Sequence, residues 1–294
     1  MVTVLVVGAS GEVGRCVVQS LTHRGARVRV LVHSTPFDGA ESVRGDLADP
    51  ASLASALAGC DGACFITPHH EHEAQLGFNF VDACEAAKLR RLVFVSSFHP
   101  CTWLPLQAVL DGIVGVIGPH YRPKFQVERR VRSSPLSPVV LGPSNFYQND
   151  ELALPEILAG SYPNPMGKRR LNRVDVRDIG DGAARSLVDD DVASGAYPIV
   201  GPDNWTGAAV AQVWSEALGR PVTYGGDDVE RWRSTVGARM QPARRADDFA
   251  RTYRIIQRFG APATTRTIAK TTALLGRPPR DFRTYCAELA ARTR

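Results

Sequence analysis

The residues Val2-Thr3-Val4-Leu5-Val6-Val7-Gly8-Ala9-Ser10-Gly11-Glu12-Val13-Gly14-Arg15 decide how the rest of the chain is read. Residues 2–7 are β-branched or aliphatic and carry no charge, which suits a parallel strand buried on both faces. Glycines follow at Gly8, Gly11 and Gly14, and residues 15–23 then take helical spacing. Strand, tight turn and helix in that order bring the unpaired first-turn N–H groups of the helix to the strand's carboxyl end, a place that favours an anion. The first glycine lets the chain turn sharply, the second lets a ligand approach the backbone, and the third lets helix and strand pack closely.

Outward from this turn, strands and helices alternate. Gly25 is a helix C-cap and residues 27–32 form a second β-branched strand. A short third strand lies near 42–44, and Asp49-Pro50 caps a helix over 51–58. A fourth strand spans 63–67, the spacing of Leu76, Phe80, Val81, Cys84 and Ala87 predicts a helix over 73–89, and a fifth strand, 92–95, ends in Ser96-Ser97. This alternation predicts an α/β fold with a doubly wound parallel sheet of the Rossmann type. Ligands bind at the carboxyl ends of such strands, here the turns at Gly8, His33, Thr67 and Ser97.

In that setting the GxxGxxG turn is a site for NAD(P), with Gly8, Ser10, Gly11, Glu12, Val13 and Gly14 around the pyrophosphate. The cofactor's 2′ position is read at the end of the second strand, where a carboxylate favours NAD. Val32-His33-Ser34-Thr35 offers no acid. His33, Ser34 and the nearby Arg15 therefore favour NADPH over NADH. Asp46, in the turn Gly45-Asp46-Leu47, is placed either to reach the adenine or to cap the next turn.

Past the irregular, proline- and glycine-rich stretch 99–119, a helix resumes over 124–132. A sixth strand follows at 138–142, a short seventh at 174–176 and a helix at 178–187. Helices are then expected over 207–218, 229–235, 246–258, 263–275 and 282–291. Residues 1–150, joined by 170–200, are thus expected to form the dinucleotide domain, with 151–169 and 201–294 as a smaller, mostly helical C-terminal lobe. Hydrophobic residues at 44% and charged residues at 22% of the 294 are ordinary globular usage. The apolar start is too short for a signal peptide or a membrane span, so a cytoplasmic protein is expected. Six cysteines without CxxC spacing argue against a disulfide framework or zinc knot. Arginines outnumber lysines 31 to 4, but Asp247, Asp248, Asp281 and Glu288 interleave with them near the C-terminus. That mixture describes a solvated surface rather than a nucleic-acid face, and the expected partner is a small molecule.

Landmarks in a fixed order now resemble the NmrA-like branch of the atypical short-chain dehydrogenase/reductases. They are the 8–14 turn, Gly45-Asp46-Leu47, Ile66-Thr67-Pro68, residues 79–84 and 92–97, Lys124 with Glu128, Gly142-Pro143-Ser144-Asn145-Phe146-Tyr147-Gln148-Asn149, and Val174-Asp175-Val176-Arg177-Asp178-Ile179. They span about the first two thirds of the chain. The resemblance implies a cofactor lying across the strand ends, touched at Thr67 and Pro68, at Lys124, and around Pro143, Asn145 and Phe146, with the helical lobe closing over the nicotinamide.

Short-chain dehydrogenases place a tyrosine four residues before a lysine that holds the nicotinamide ribose and eases the tyrosine's proton transfer. Here the stretch is His120-Tyr121-Arg122-Pro123-Lys124, with histidine in the tyrosine's place and the helix expected to begin at Pro123. Tyr121 as acid, His120 as acid, and hydride transfer by positioning alone all remain open, as does a Lys124–Glu128 salt bridge as the lysine's sole role. Ser96 and Ser97 either polarise a substrate or satisfy backbone groups at a strand end. The run His69-His70-Glu71-His72-Glu73 carries metal-ligand residue types, but consecutive residues do not converge on one ion, so no metal is expected. The function implied is an NAD(P)H-dependent reductase of a small apolar carbonyl, quinone or conjugated compound, with a pocket walled by Trp103, His120, Tyr121, Phe146 and Tyr147. The alternatives are an NAD(P)-sensing regulator that binds a protein partner and a redox-neutral enzyme reusing the fold.

Overall fold

The structure, a computed structural model, describes residues 1–68, 70–98 and 121–293. The expectations for His69, Trp103, His120 and the stretch 99–119 lie outside the described residues. In chain order the first elements are β1 (Thr3–Val7), α1 (Glu12–His23), β2 (Arg27–Val32), β3 (Glu41–Arg44), α2 (Pro50–Leu57), β4 (Gly62–Ile66), α3 (Glu73–Ala86) and β5 (Arg91–Val95). Then come α4 (Arg122–Arg132), β6 (Val139–Pro143), β7 (Asn145–Phe146), a 3-10 segment Tyr147–Ala153, α5 (Leu154–Leu158), β8 (Ser161–Tyr162), β9 (Leu171–Val174), α6 (Val176–Val188) and β10 (Gly195–Ile199). The remainder is β11 (Asn204–Trp205), α7 (Gly207–Leu218), β12 (Thr223–Tyr224), α8 (Val229–Ser234), a 3-10 turn Gly237–Arg239, α9 (Arg244–Phe259), α10 (Thr265–Leu275) and α11 (Phe282–Arg292).

Side chains of β1 divide by parity. Val4 and Val6 enter a core with Val17, Leu21 and Ile179, whereas Leu5 and Val7 enter another with Leu53, Phe80 and Val127. Successive residues of a strand face opposite ways, so burying both sets takes a helix layer on each side of the sheet. Helices α1 and α6 cover one face; α2, α3 and α4 cover the other. The seven parallel strands run in the order β10-β6-β5-β4-β1-β2-β3. The chain therefore winds outward from β1 in one direction and then from β4 in the other, and the switch point lies between them.

Two strand expectations are corrected. The segment expected as a seventh strand over 174–176 is β9, ending at Val174, and it pairs with β7 and β11 in a separate three-stranded sheet. Asp175 ends the strand because its side chain caps α6 by accepting from Arg177 N. The strand that completes the main sheet is β10, whose Gly195 and Pro198 disguise it in the sequence. Proline lacks an N–H, so it is tolerated here because β10 is an edge strand.

A third core gathers Tyr147, Tyr162, Leu171, Trp205, Trp214, Trp232, Tyr253 and Phe282. At its centre Arg173 and Asp150, 1% and 0% exposed, form a two-pronged ion pair at 3.0 and 2.9 Å. Asp150 also accepts from Tyr162 Oη, Asn164 Nδ2 and Trp214 Nε1, each at 3.0 Å. Arg173 donates further to Asn145 Oδ1 and to the carbonyls of Phe146 and Tyr147, while its guanidinium lies 4.7 Å from the Phe282 ring centre. Burial opposes the Arg173 charge, yet Asp150 more than offsets it and raises the guanidinium's pKa. A buried pair of this kind is costly to break singly, because the surviving charge has neither water nor partner. Arg173→Leu is expected to lose about 3–5 kcal/mol of stability in urea unfolding, and less when Asp150→Leu accompanies it; a single variant as stable as the parent would show that the pair does not organise this core.

Candidate functional site

At the switch point, Gly8 leaves β1 with φ +84°, a conformation that suits glycine, and a Cβ there would lie 2.8 Å from the Ile66 carbonyl oxygen. At Gly14 a Cβ would lie 2.1 Å from the Gly8 oxygen and 2.6 Å from Ala9 Cα, so helix and turn touch backbone to backbone. Gly11 differs. A Cβ there would meet nothing among the described residues nearer than 3.6 Å. Gly11 is also the N-cap of α1 and supplies no side-chain cap, whereas Asp49, Asp175, Thr206, Thr264 and Asp281 cap their helices with an oxygen. The first-turn N–H groups of α1 are left to an outside acceptor, beside exposed Ser10, Gly11 and Glu12 and buried Val13 and Gly14. The Glu12 carboxyl is held above its ordinary range by desolvation and then by Glu151, with Arg245 opposing.

Arg15, one turn on, donates to the Ser10 carbonyl at 3.2 Å and lies 5.8 Å from the Phe37 ring centre. His33 and Ser34 are exposed at the end of β2. His33 Nε2 is 4.0 Å from one carboxylate oxygen of Asp46, while the other accepts from Ala48 N at 2.8 Å. Asp46 therefore caps its own turn and faces His33 at once. The Leu47 carbonyl accepts from Asn79 Nδ2 at 3.0 Å, tying this turn to α3.

Thr67, Lys124 and Glu73 meet beyond the end of β4. Lys124 Nζ donates to Thr67 Oγ1, stands 3.3 Å from Glu73 Oε1 and lies 5.9 Å from the Phe94 ring centre. The salt bridge to Glu128 that the helical spacing suggested does not form. Glu128 is instead buried against Ser96, whose hydroxyl donates to it, and pairs with Arg132 at 2.7 Å. Ser96 thereby satisfies a carboxylate. Burial lowers the Lys124 pKa, with Glu73 and then Glu128 acting against it. In the sequence Glu73 stood out only as the end of the histidine-rich run and as a helix start, with no sign of a lysine partner.

α4 begins at Arg122, one residue earlier than expected, with Pro123 in its first turn where a missing N–H costs nothing. Tyr121 stands at the N-cap, stacks on Phe125 and places its hydroxyl 3.4 Å from Thr252 Oγ1 of α9. Burial raises its pKa, with Asp248 adding to this and Thr252 opposing. Pro143, Asn145 and Phe146 continue along the same edge: the Pro143 carbonyl accepts from Phe98 N, and Asn145 and Phe146 are held by Arg173. Tyr147, expected in a pocket wall, is fully buried, donates to the Arg280 carbonyl at 3.1 Å and packs on Phe282 and Tyr285. It directly follows Phe146, and the 3-10 turn that starts there carries it into the third core. Among the described residues, no three of His, Cys, Asp or Glu are grouped to hold a metal, and His70, Glu71 and His72 are exposed.

Fold and site define a doubly wound α/β protein with a dinucleotide-type glycine turn at its switch point and a half-buried lysine on the same edge. A sequence model of the NmrA-like family matches residues 2–285, and the chain belongs to that family, as its ordered motifs indicated. It is 27% identical over 295 residues to the NAD(P)H azoreductase of Xenophilus azovorans, covering 98% of each protein. It is 29% identical over 298 aligned residues to the (4-alkanoyl-5-oxo-2,5-dihydrofuran-3-yl)methyl phosphate reductase of Streptomyces griseus, again covering 98% of each. Among solved structures, an NADPH-dependent quinone oxidoreductase of Escherichia coli complexed with NADPH shares the fold, with a TM-score of 0.80 at 20% identity over 97% of this chain and 99% of that one.

The three glycines are expected to separate on mutation. Gly14→Ala should lose several kcal/mol, since two backbones would have to part. Gly11→Ala should lose under about 1 kcal/mol, the difference between glycine and alanine at an N-cap. Thermal unfolding of both variants checks this; equal losses would mean that Gly11 is needed by the protein itself.

Proposed function

We propose that the protein is an NAD(P)H-dependent oxidoreductase, favouring NADPH, that reduces a small apolar carbonyl, quinone or conjugated acceptor. The observation that carries this reading is the first turn of α1: uncapped, positively polarised, and fronted by a glycine whose missing Cβ leaves space that the protein does not fill. A pyrophosphate fits that cradle between Gly8, Ser10, Gly11, Glu12, Val13 and Gly14. His33, Ser34 and Arg15 supply two donors and a fixed cation for a 2′-phosphate, with no carboxylate at the end of β2 itself. Asp46 and Leu47 then border the adenine, and Thr67 and Pro68 the middle of the molecule. The two relatives that span the whole chain are both reductases by name, one of them of azo compounds.

Toward the nicotinamide, Pro143, Asn145 and Phe146 form one side and Lys124 reaches the ribose hydroxyls from the other. Residues 151–169 and 201–294 form the lobe that excludes water from the acceptor. A reduced nicotinamide held there would supply the hydride; the matching proton would come from a protein group, or from water as the lobe reopens. Tyr121 is directed at Thr252 with its pKa raised, opposite to what a lysine-assisted acid needs. Its part in this reading is to hold α9 against the strand ends.

Titration should show tighter binding of NADPH than of NADH; the reverse order would remove the 2′-phosphate assignment. Lys124→Ala should weaken NADPH binding at least about tenfold, because a hydrogen bond from a charged donor is worth roughly 1.5–3 kcal/mol. Tyr121→Phe should leave binding unchanged and retain turnover. NADPH consumption with a panel of quinones, enones and azo dyes supports the reductase. Tight binding without turnover on any of them would support a regulatory protein, and product formation without net NADPH loss a redox-neutral enzyme.

A further inference from the structure

The Glu73 side chain turns inward from exposed His70 and His72 before it. It is 4% exposed at the first turn of α3, and its Oε1, 3.3 Å from Lys124 Nζ, has no hydrogen-bond partner among the described residues. Lys124 is poorly placed for a cation. It is largely withdrawn from water, and it stands in the first turn of α4, where the helix presents its own partial positive charge. Two carboxylates face it, Glu73 from α3 and Glu128 from its own helix, but Glu128 is committed to Ser96 and Arg132. Thr67 faces it from the turn after β4, and the Phe94 ring from β5.

We propose that Glu73 is a positioning residue for Lys124: its carboxylate holds the buried amine as an ammonium and aims it, together with Thr67, along the strand-end edge. An ammonium has three N–H donors. One goes to Thr67 Oγ1 and one points toward Glu73, which leaves a third for a ribose hydroxyl. Without the carboxylate, burial and the helix terminus act unopposed by any other uncommitted carboxylate among the described residues, and the amine sheds its proton at lower pH. A neutral amine still bonds a hydroxyl but no longer supplies a charged donor. The inference rests on the reading of Lys124 as a dinucleotide contact, and its test is built to stand apart from that reading.

The test uses the full chain without cofactor. Pulse acylation across a pH series, followed by peptide mass spectrometry, gives a reactivity midpoint for each lysine, because only the unprotonated amine reacts. With four lysines in the chain, exposed Lys88 and Lys168 serve as internal references. Glu73→Gln, which keeps shape and removes charge, should lower the Lys124 midpoint by at least about one pH unit, within the range an adjacent opposite charge produces, and leave the references unmoved. The alkaline limb of NADPH affinity should move down by the same amount, while affinity below neutrality stays within about twofold. A purely structural carboxylate would change the unfolding midpoint without moving either profile, and an unmoved Lys124 midpoint overturns the proposal. Should Glu73→Gln fail to fold, Glu73→Asp retains the charge at longer reach and should give a smaller downward shift; no shift there overturns it equally. If Lys124→Ala leaves NADPH affinity intact, the cofactor role of Lys124 falls while the acylation result still decides the role of Glu73.

Discussion

A guanidinium buried against a carboxylate, Arg173 on Asp150, is the contact on which the second half of the molecule depends. Neither charge reaches water, so each must be satisfied by the protein, and the donors and acceptors that do so come from β7, β8, β9, the 3-10 segment, α7 and the Asn164 loop. Asn164 accepts in turn from Trp232 of α8, which extends the network outward. Such a network rigidifies only when every member is satisfied. Because Arg173 also holds Asn145 and Phe146, the network sets how the segment after β6 leaves the main sheet. The strand-end edge and the aromatic core thus share one anchor.

Along that edge the electrostatics divide into two neighbouring units. The first turn of α1 offers unpaired N–H groups and the positive end of a helix. Lys124, beyond the end of β4, offers a cation restrained by Thr67 and Glu73. Strand order puts them side by side, since β1 and β4 are neighbours across the switch point. The Ser96, Glu128 and Arg132 cluster lies one strand further on and is internally satisfied, so it supports α4 against β5 and makes no claim on a ligand.

Tyr121 shows how a one-residue displacement changes chemistry. Residues three or four before Lys124 on a continuous helix share its face, but Tyr121 sits at the N-cap, outside the helix proper. Its ring stacks on Phe125 and its hydroxyl reaches Thr252, so it bridges α4 and α9. Desolvation there keeps the phenol protonated, which suits a structural hydrogen bond.

Local patterns made most of the main sheet legible from the amino acids. Continuous apolar runs marked β1, β4 and β5, the Asp49-Pro50 pair marked the start of α2, and glycine spacing marked the turn and its ligand class, because each depends on residues adjacent in the chain. The expected helix over 207–218 is α7 as found. What depends on distant residues was not legible. β10 reads as a loop because glycine and proline are unfavourable in strands, and only its position at the sheet edge makes them acceptable. Glu73 and Lys124 lie far apart in the chain, and helical spacing nominated Glu128 as the lysine's partner in preference to the residue that α3 brings alongside. Tyr147 was expected in a pocket wall, and Asp150 and Arg173 carried no signal at all, since nothing local says that a charge or a phenol will be buried. The sequence by itself determined the alternation of strands and helices from β1 to β5 and the glycine turn between β1 and α1, because backbone propensity and side-chain periodicity act over a few residues. Only the tertiary structure decided which carboxylate faces which cation, because those pairings are set by desolvation at the places where separate elements meet.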